Sequence, residues 1–413
     1  MSRFIKNDTA WVVILCTILL LILFPYFGYT AMLPVIRDEW GMSSTEAGFI
    51  FGATQIGYVS AVLLLMPLTD RVKTSYVLLG SSSLCLLGNL LFPFSQEVIS
   101  ASIFRAISGA GLSGTYMPGL RLISERFVGT KRGRPVGYYI AAFTLGGAVS
   151  FGGASILLPP LGWRGAYMAL SLFGIASVAL AALLAIAERK QDKQLPAPRS
   201  TAAVKEILGN KPVLLMTTAY STHVWELYGV RAWVAPFLAA ILMANGRGLT
   251  EATSQAANIS SIMVFVGAIT PAWAGAMSDR HGRTLTGSMI LATSGLCSLL
   301  LGWLFGAPFW LTLAVCFINS VWVTADSPIY STAVTELASK GMLGSTMAFQ
   351  SVVGFSGGII SPIVFGVILD AAPENIGWGL GFAMLGVVAL IGVLAMQILR
   401  RMPESKLLAG GNR

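Results

Sequence analysis

Charged residues are scarce in this sequence, and so are the residues that bind metals or form disulfides. Only 11% of its 413 residues are Asp, Glu, Lys or Arg, and it has 2 histidines and 4 cysteines. Because soluble globular domains carry about 25% charged residues, this composition excludes that class. The cysteines fall within apolar runs without metal-ligand spacing, and we expect them to be small core residues. They are Cys16, Cys85, Cys297 and Cys316.

Catalytic patterns are missing as well. The sequence has no nucleophile beside a base, no metal-ligand spacing and no phosphate-binding loop. We therefore expect neither an enzyme nor a cofactor requirement. The formal net charge of +9 argues little for nucleic acid, because the basic residues follow the topology described below.

Apolar residues dominate the rest of the chain. Hydrophobic residues make up 55% of it, and the mean hydropathy is +0.74. Apolar stretches of spanning length recur throughout, which predicts an all-α membrane protein with twelve transmembrane helices. The predicted spans cover roughly residues 11–35, 46–67, 75–94, 98–123, 136–158, 165–187, 213–242, 256–277, 285–305, 309–332, 343–369 and 378–399.

The basic residues predict the orientation in the membrane. Arg37, Arg164 and Arg247 fall in loops on one side. Arg105 and Arg231 lie within spans, and the remaining 22 of the 27 Lys and Arg residues lie on the other side. Because basic loops stay in the cytoplasm, both termini are expected there. The first span is too long for the core of a signal peptide and is expected to be retained.

A charged, proline-containing segment separates six spans from six. It predicts an N-terminal six-helix bundle over residues 1–188, a cytoplasmic linker over 189–211 and a C-terminal six-helix bundle over 212–413. The loops after the second and eighth spans both contain an Asp-Arg pair, and Asp70 and Asp279 lie 209 positions apart. This spacing indicates that the two halves are repeats.

The second of these loops resembles the signature of the major facilitator superfamily: Gly, three variable positions, Asp-Arg, one variable position, Gly-Arg. The first loop keeps only Asp70 and Arg71 of that pattern. The resemblance covers essentially the whole chain and implies the major facilitator fold, with two pseudo-symmetric six-helix bundles. The matching positions of the second loop are Gly275, Asp279, Arg280, Gly282 and Arg283.

The loop motif is expected to act as a latch during gating. Its Asp can face the positive end of a helix in the opposite half, and its Arg residues can pair with an acid at the cytoplasmic end of a nearby helix. Glu125 and Glu336, which follow prolines at the ends of the fourth and tenth spans, are the expected acids. The alternative is that these are ordinary cytoplasmic charges set by topology.

Residues 220–233 place three ionisable groups inside an otherwise apolar span. A charge at mid-membrane costs from about 2.5 to about 17 kcal/mol and is normally kept where it faces a partner or water. With about 3.6 residues per turn, one face carries Tyr220, His223, either Glu226 or Leu227, and either Val230 or Arg231. We expect that face to line a polar cavity.

Arg105 begins a run with closely spaced glycines that resembles the fourth-helix pattern of the family. In proton-coupled members this Arg handles protons or substrate, and the resemblance carries that role to Arg105. Arg105 and Arg231 lie at similar depth in opposite halves, so they could form a bidentate clamp for a carboxylate or a small inorganic anion. The alternative is that Arg105 extends to the outer interface.

Asp326 is the other acid well inside a span. A buried carboxylate can take up a proton and release it. Either Glu226 or Asp326 is therefore expected to be the proton-coupling site, with His223 assisting. The alternative is that these charges form structural ion pairs. Aromatic residues at helical spacing could complete the substrate pocket or serve as packing: they are Tyr26, Tyr29, Tyr220, Tyr228 and Trp322.

These observations predict a secondary active transporter in the bacterial inner membrane. We expect it to move a small polar solute, a carboxylate-like organic anion, by alternating access and proton-coupled uptake. Its expected partners are the small-molecule substrate, protons and the lipid bilayer, and it is expected to be a monomer. The alternatives are a proton-driven exporter of drugs or metabolites and a transporter-like membrane sensor.

Overall fold

The computed structural model describes residues 7–127, 133–187, 202–339, 342–373 and 376–412, and these residues form helices and short connections without a strand. Three 3-10 segments, Phe92–Phe94, Gly302–Leu304 and Pro403–Gly411, lie among the α-helices. In chain order the α-helices are α1 (Asp8–Ile22), α2 (Gly28–Trp40), α3 (Ser44–Arg71), α4 (Thr74–Leu91), α5 (Val98–Arg126), α6 (Gly133–Ala187), α7 (Ala202–Gly209), α8 (Lys211–Ala244), α9 (Leu249–Gly267), α10 (Thr270–His281), α11 (Arg283–Leu301), α12 (Phe309–Trp322), α13 (Ser327–Leu337), α14 (Leu343–Ala371) and α15 (Gly377–Arg401).

These helices confirm the predicted twelve-span, all-α fold. Within the described ranges, nine helical stretches are long and apolar enough to cross a membrane. One of them, α6, contains two predicted spans, because Gly162 (φ 65°) breaks the helix just after Pro159 and Pro160. The first predicted span is formed by α1 and α2 together, and the fourth is α5.

The first span is broken between α1 and α2, at residues 23–27. Pro25 lies in the break and lacks a backbone N–H. Two side chains bond the backbone groups that the break frees: the Phe27 N–H donates to the Ser150 hydroxyl at 2.9 Å, and Arg105 donates to the carbonyl of Tyr26. Irregular backbone at membrane depth is tolerated where the protein satisfies it in this way.

The tenth span is broken as well, at residues 323–326 between α12 and α13. A third break separates α9 from α10. Threonine hydroxyls connect this break to the one in the tenth span. Thr324 donates to the carbonyl of Gly267 at 3.0 Å, and Thr270 donates to the carbonyl of Val321 at 2.8 Å. Asp326 thus lies at the start of a new helix, as the N-cap residue of α13.

The contacts divide the described chain into two compact units. Unit 1 comprises residues 7–42, 49–187 and 238–264, and unit 2 comprises residues 43–48, 202–237 and 265–412, with the gaps given above. Helices α3, α8 and α9 therefore each contribute to both units. The predicted domain boundaries at residues 188 and 212 stay a prediction.

In unit 1, helices α3 and α5 touch backbone to backbone. A Cβ atom at Gly57 would collide with the carbonyl of Ala106, and one at Gly109 would collide with the carbonyl of Thr54. Each helix thus contributes one glycine, and the missing side chain there allows the backbone of the other helix to approach. This close approach accounts for one glycine of the pattern that follows Arg105.

Candidate functional site

Arg105 lies on α5, in the interior of unit 1, with 2% of its surface exposed. Its Nη1 donates to the carbonyl of Tyr26 at 3.1 Å and to the hydroxyl of Tyr167 at 3.4 Å. The guanidinium carbon lies 5.4 Å from the ring centroid of Tyr29, which is a cation–π distance. The predicted residues Arg105, Tyr26 and Tyr29 therefore lie together.

One edge of the Arg105 guanidinium has no protein partner in the described part of the chain. The Nε atom is buried without a hydrogen bond, and only Nη1 donates to a described residue. Among those residues no carboxylate lies within 4.0 Å of it. The Nε and Nη2 atoms form the side of the fork that binds a carboxylate through two parallel hydrogen bonds. The site therefore offers a bidentate anion-binding edge.

Neutral groups hold the rest of this site. The Tyr167 hydroxyl, which accepts from Arg105, donates to Oδ1 of Asn89 at 3.2 Å. Gln55 donates from Nε2 to the Tyr26 hydroxyl at 3.0 Å. Sequence reasoning missed Tyr167 and Asn89, because neither belongs to a motif. The positive charge of Arg105 is thus positioned by groups that do not neutralise it.

His223 and Asp326 form a buried pair in unit 2. The Nδ1 atom of His223 lies 2.9 Å from Oδ1 of Asp326, and both side chains are at most 2% exposed. The Tyr330 hydroxyl donates to Oδ2 of Asp326 at 2.7 Å, and the other ring nitrogen of His223 lies 2.9 Å from the Ser327 hydroxyl. Despite its short distance to His223, Oδ1 has no aligned hydrogen-bond donor among the described residues.

Glu226 lies one turn from His223 on α8 and has different neighbours. Ser298 donates to Oε1 at 2.7 Å and Ser294 donates to Oε2 at 2.9 Å, so both carboxyl oxygens are bonded. The Nδ2 atom of Asn319 lies 3.5 Å from Oε1. Glu226 is fully buried among these groups from α11 and α12, which carry no charge. Sequence reasoning missed these partners.

The other predicted pocket residues of unit 2 differ in their neighbours. Arg231 is half-buried on α8, and Tyr220 packs close to Gly354 with its ring 6.1 Å from His223. Tyr228 contacts Phe355, with ring centroids 6.1 Å apart. Trp322 packs edge-on against Trp273 at 5.9 Å and against the buried cluster that contains Ala325 and Ile329. The clamp expected between Arg105 and Arg231 stays a prediction.

The second loop motif forms an ion-pair group that we call the loop cluster: Asp279, Arg283 and Glu336. Nη1 of Arg283 lies 2.5 Å from Asp279 and Nη2 lies 3.0 Å from Glu336. Gly282 precedes Arg283 with φ 94°, a conformation that favours glycine, and so begins α11 at the arginine. Of the other motif residues, Arg280 is exposed and Gly275 has open space beside it.

The first loop motif is arranged differently. The side chain of Asp70 lies outside the described part of the structure, and Arg71 is exposed. Glu125 pairs with Arg121 at 2.6 Å, and Arg121 also donates to the Thr69 hydroxyl at 2.6 Å. The acid predicted for this loop therefore bonds an arginine of its own helix.

Asp370 makes polar contacts with the start of α3 that sequence reasoning missed. It accepts from the Ser44 N–H at 2.8 Å, and from the N–H and hydroxyl of Thr45 at 2.8 Å and 2.6 Å. These groups belong to unit 2 and form the first turn of α3. Capping by a carboxylate satisfies N–H groups that a helix start leaves unbonded, but no local signal links residues so far apart in sequence.

Comparisons with known proteins agree with this architecture. A gentisate transporter of Corynebacterium glutamicum is 24% identical over 393 residues, covering 91% of this chain and 84% of that protein. A probable sulfoacetate transporter of Cupriavidus necator is 23% identical, covering 88% and 86%. A crystal structure of a bacterial homologue of the human lysosomal transporter Spinster, inward-facing and unoccupied, matches with a TM-score of 0.74 at 13% identity over 97% of both chains.

The sequence profile of the Major Facilitator Superfamily matches twice, over residues 15–230 and 227–412. These ranges include every helix that holds Arg105, His223, Glu226 and Asp326. Twelve spans, the loop motif and the profile thus lead to one conclusion: the chain is a multi-pass membrane protein that belongs to the Major Facilitator Superfamily.

Proposed function

We propose that this protein takes up a small organic anion together with a proton across the bacterial inner membrane, with both termini in the cytoplasm. The observation that carries the proposal is the buried guanidinium of Arg105, whose Nε edge has no protein partner in the described chain. A buried cation is costly unless it is paired. A carboxylate on that edge supplies both the opposite charge and the two acceptors.

The relatives support an anion over other cargoes. The gentisate transporter and the probable sulfoacetate transporter are both named for organic anions. Two features fix the orientation of the Arg105 guanidinium: Nη1 is anchored to the Tyr26 carbonyl and the Tyr167 hydroxyl, and the ring of Tyr29 lies beside it. A fixed guanidinium loses less conformational entropy when it binds than a mobile one.

For the proton we propose the pair of His223 and Asp326. One added proton would convert a carboxylate beside a neutral imidazole into an ion pair between two atoms that already lie 2.9 Å apart. Among the described residues Oδ1 of Asp326 has no aligned donor, whereas both oxygens of Glu226 accept hydroxyl hydrogen bonds. Glu226 is thus better suited to positioning α8, α11 and α12 than to proton exchange.

Transport in reconstituted vesicles tests the proposal. Wild-type protein is expected to accumulate labelled gentisate or sulfoacetate when the vesicle interior is made alkaline. Arg105→Lys should reduce kcat/KM at least about tenfold, because lysine cannot form the two parallel hydrogen bonds. The matched control is Arg247→Lys, an exposed arginine paired with Glu251 outside this site.

Other outcomes separate the alternatives. Accumulation under the opposite pH gradient would indicate an exporter. Binding measured by thermal shift, without translocation under either gradient, would indicate a sensor. Full activity of Arg105→Lys would contradict the proposed anion site.

A further inference from the structure

The segment of residues 403–412, which we call the tail segment, packs along α13. Leu408 is fully buried in a cluster with Tyr330, Ala333 and Leu337 of that helix. Ser405 is also fully buried, and its hydroxyl donates to the carbonyl of Met402 at 2.7 Å. The tail segment is therefore part of the core of unit 2, although it follows the last spanning helix.

The tail segment also bonds two members of the loop cluster. The N–H of Ala409 donates to Oε2 of Glu336 at 3.1 Å, and Asn412 donates to the carbonyl of Asp279 at 3.1 Å. Ala409 has φ 47°, which residues other than glycine rarely adopt. Such a conformation persists where surrounding contacts over-determine it, and here it directs the N–H at the carboxylate.

Helix α13 connects this region to the proposed proton site. Asp326 is its N-cap residue and Tyr330, which bonds Asp326, is in its first turn. Glu336 lies in the last turn of the same 11-residue helix, roughly 15 Å away at 1.5 Å per residue. Because the break at residues 323–326 separates α13 from α12, this short helix can shift without carrying α12 with it.

We propose that the tail segment is a positioning element for transport: it holds α13 and Glu336 in register with Arg283, so that a change at Asp326 reaches the loop cluster. The proposal rests on the proposed function, since it assumes that Asp326 exchanges a proton during transport. Glu336 accepts from both Arg283 and Ala409. Losing the second donor frees the carboxylate to move relative to Arg283, which Asp279 and the Ser278 hydroxyl still hold.

Two substitutions at one position provide the test. Ala409→Pro removes the N–H and cannot adopt φ 47°, whereas Ala409→Gly keeps the N–H and adopts that angle without strain. In vesicles, the proline variant should reduce kcat about tenfold with KM for gentisate or sulfoacetate unchanged, because the Arg105 site is untouched. The glycine variant should stay within about twofold of wild type. A purely local packing defect would not separate kcat from KM in this way.

A double-mutant cycle shows whether the tail segment acts through Glu336. On a Glu336→Gln background, Ala409→Pro should lower kcat little further, because the acceptor of the Ala409 N–H is then uncharged. A full, additive loss on that background would overturn the proposal. If the proline variant does not fold, Asn412→Ala decides, because Asn412 is exposed: it should lower kcat about threefold by releasing Asp279.

The two proposals fail in different ways. Wild-type protein without Arg105-dependent uptake would overturn both of them. Arg105-dependent uptake combined with normal kcat in Ala409→Pro would overturn only the role of the tail segment. Where Ala409→Pro is not available, normal kcat in Asn412→Ala would do the same.

Discussion

The two units solve the problem of buried charge in opposite ways. In unit 1, Arg105 is held by a carbonyl, a hydroxyl and a ring, and within the described chain no carboxylate pairs with it. In unit 2, Asp326 has a histidine and a tyrosine, and Glu226 has two serines and an asparagine nearby. Unit 1 thus buries a cation whose counter-charge a bound anion could supply. Unit 2 buries acids whose partners are largely side chains of the protein itself.

Under the proposed function, this difference gives the two units separate tasks. An incomplete cation favours binding of a mobile anion, because the anion replaces solvation that burial has removed. The His223–Asp326 pair has most of its partners within the protein and little need of a larger ligand. It is therefore suited to exchanging a proton, the smallest group that can change the charge of the pair. Coupled uptake requires both tasks, and each can be tested separately.

The largest expected effect is at Asp326. Asp326→Asn removes the carboxylate of the pair but keeps its shape, so accumulation driven by a pH gradient should be lost. Exchange of external for internal anion should persist, because it requires Arg105 and no net proton movement. Counterflow of labelled gentisate measures the exchange, and loss of both activities would contradict separate tasks.

A second change gives the buried charge of unit 1 a carboxylate from the protein itself. Asn89→Asp places a carboxylate next to the Tyr167 hydroxyl, within the Arg105 network. It would compete with the ligand, and KM for the anion should rise about tenfold while kcat changes little.

The same amide-to-acid change in unit 2 is the matched control. Asn319→Asp places a second carboxylate beside Glu226 and should destabilise the protein through like-charge repulsion. Unfolding midpoints of both variants would show the contrast. An unchanged KM in Asn89→Asp would contradict the proposed anion site.

A third change tests the positioning role of Glu226. Glu226→Ala leaves the buried Ser298 hydroxyl without its acceptor and opens a cavity beside it, and it should cost about 3 kcal/mol in the free energy of unfolding. Glu226→Gln keeps an acceptor and should cost less, with gradient-driven accumulation retained. If Glu226→Gln abolishes accumulation while Asp326→Asn does not, Glu226 is the proton site.

The smallest effect lies at an exposed ion pair of unit 1. Partial burial acts to raise the pKa of Glu39, but hydrogen bonds from Arg164 and Trp163 outweigh it and leave the pKa below its usual range. The pair therefore contributes stability above the unfolded-state pKa and loses it as the pH falls through the lowered one. Between neutral pH and about pH 3, Glu39→Gln should lose less stability than wild type, by at most about 1 kcal/mol.

Hydropathy predicted the fold because each span must satisfy its backbone internally, which leaves a long apolar run in the sequence. The breaks were harder to predict. Pro25 signals the first one. Residues 323–326 contain neither proline nor glycine, but Pro328 follows in the first turn of α13 and cannot bond the carbonyl of residue 324. Which other groups bond the backbone around that break, such as Thr270 and Thr324, could not be predicted.

The candidate site was predicted in part. The rarity of charge within spans identified Arg105, His223, Glu226 and Asp326. It could not show which charges are paired, since pairing depends on partners from other helices such as Tyr167, Tyr330 and Ser298. The tail segment has no helical periodicity and no motif, so its contacts with the loop cluster required the structure.

The reciprocal contact of Gly57 and Gly109 has a consequence for how this protein can evolve. Every other amino acid brings at least one more carbon to these positions, so any single replacement forces the two helices apart. A wider spacing would need simultaneous adjustments on both helices. Selection can therefore vary the side chains around the proposed anion site more readily than the distance between α3 and α5.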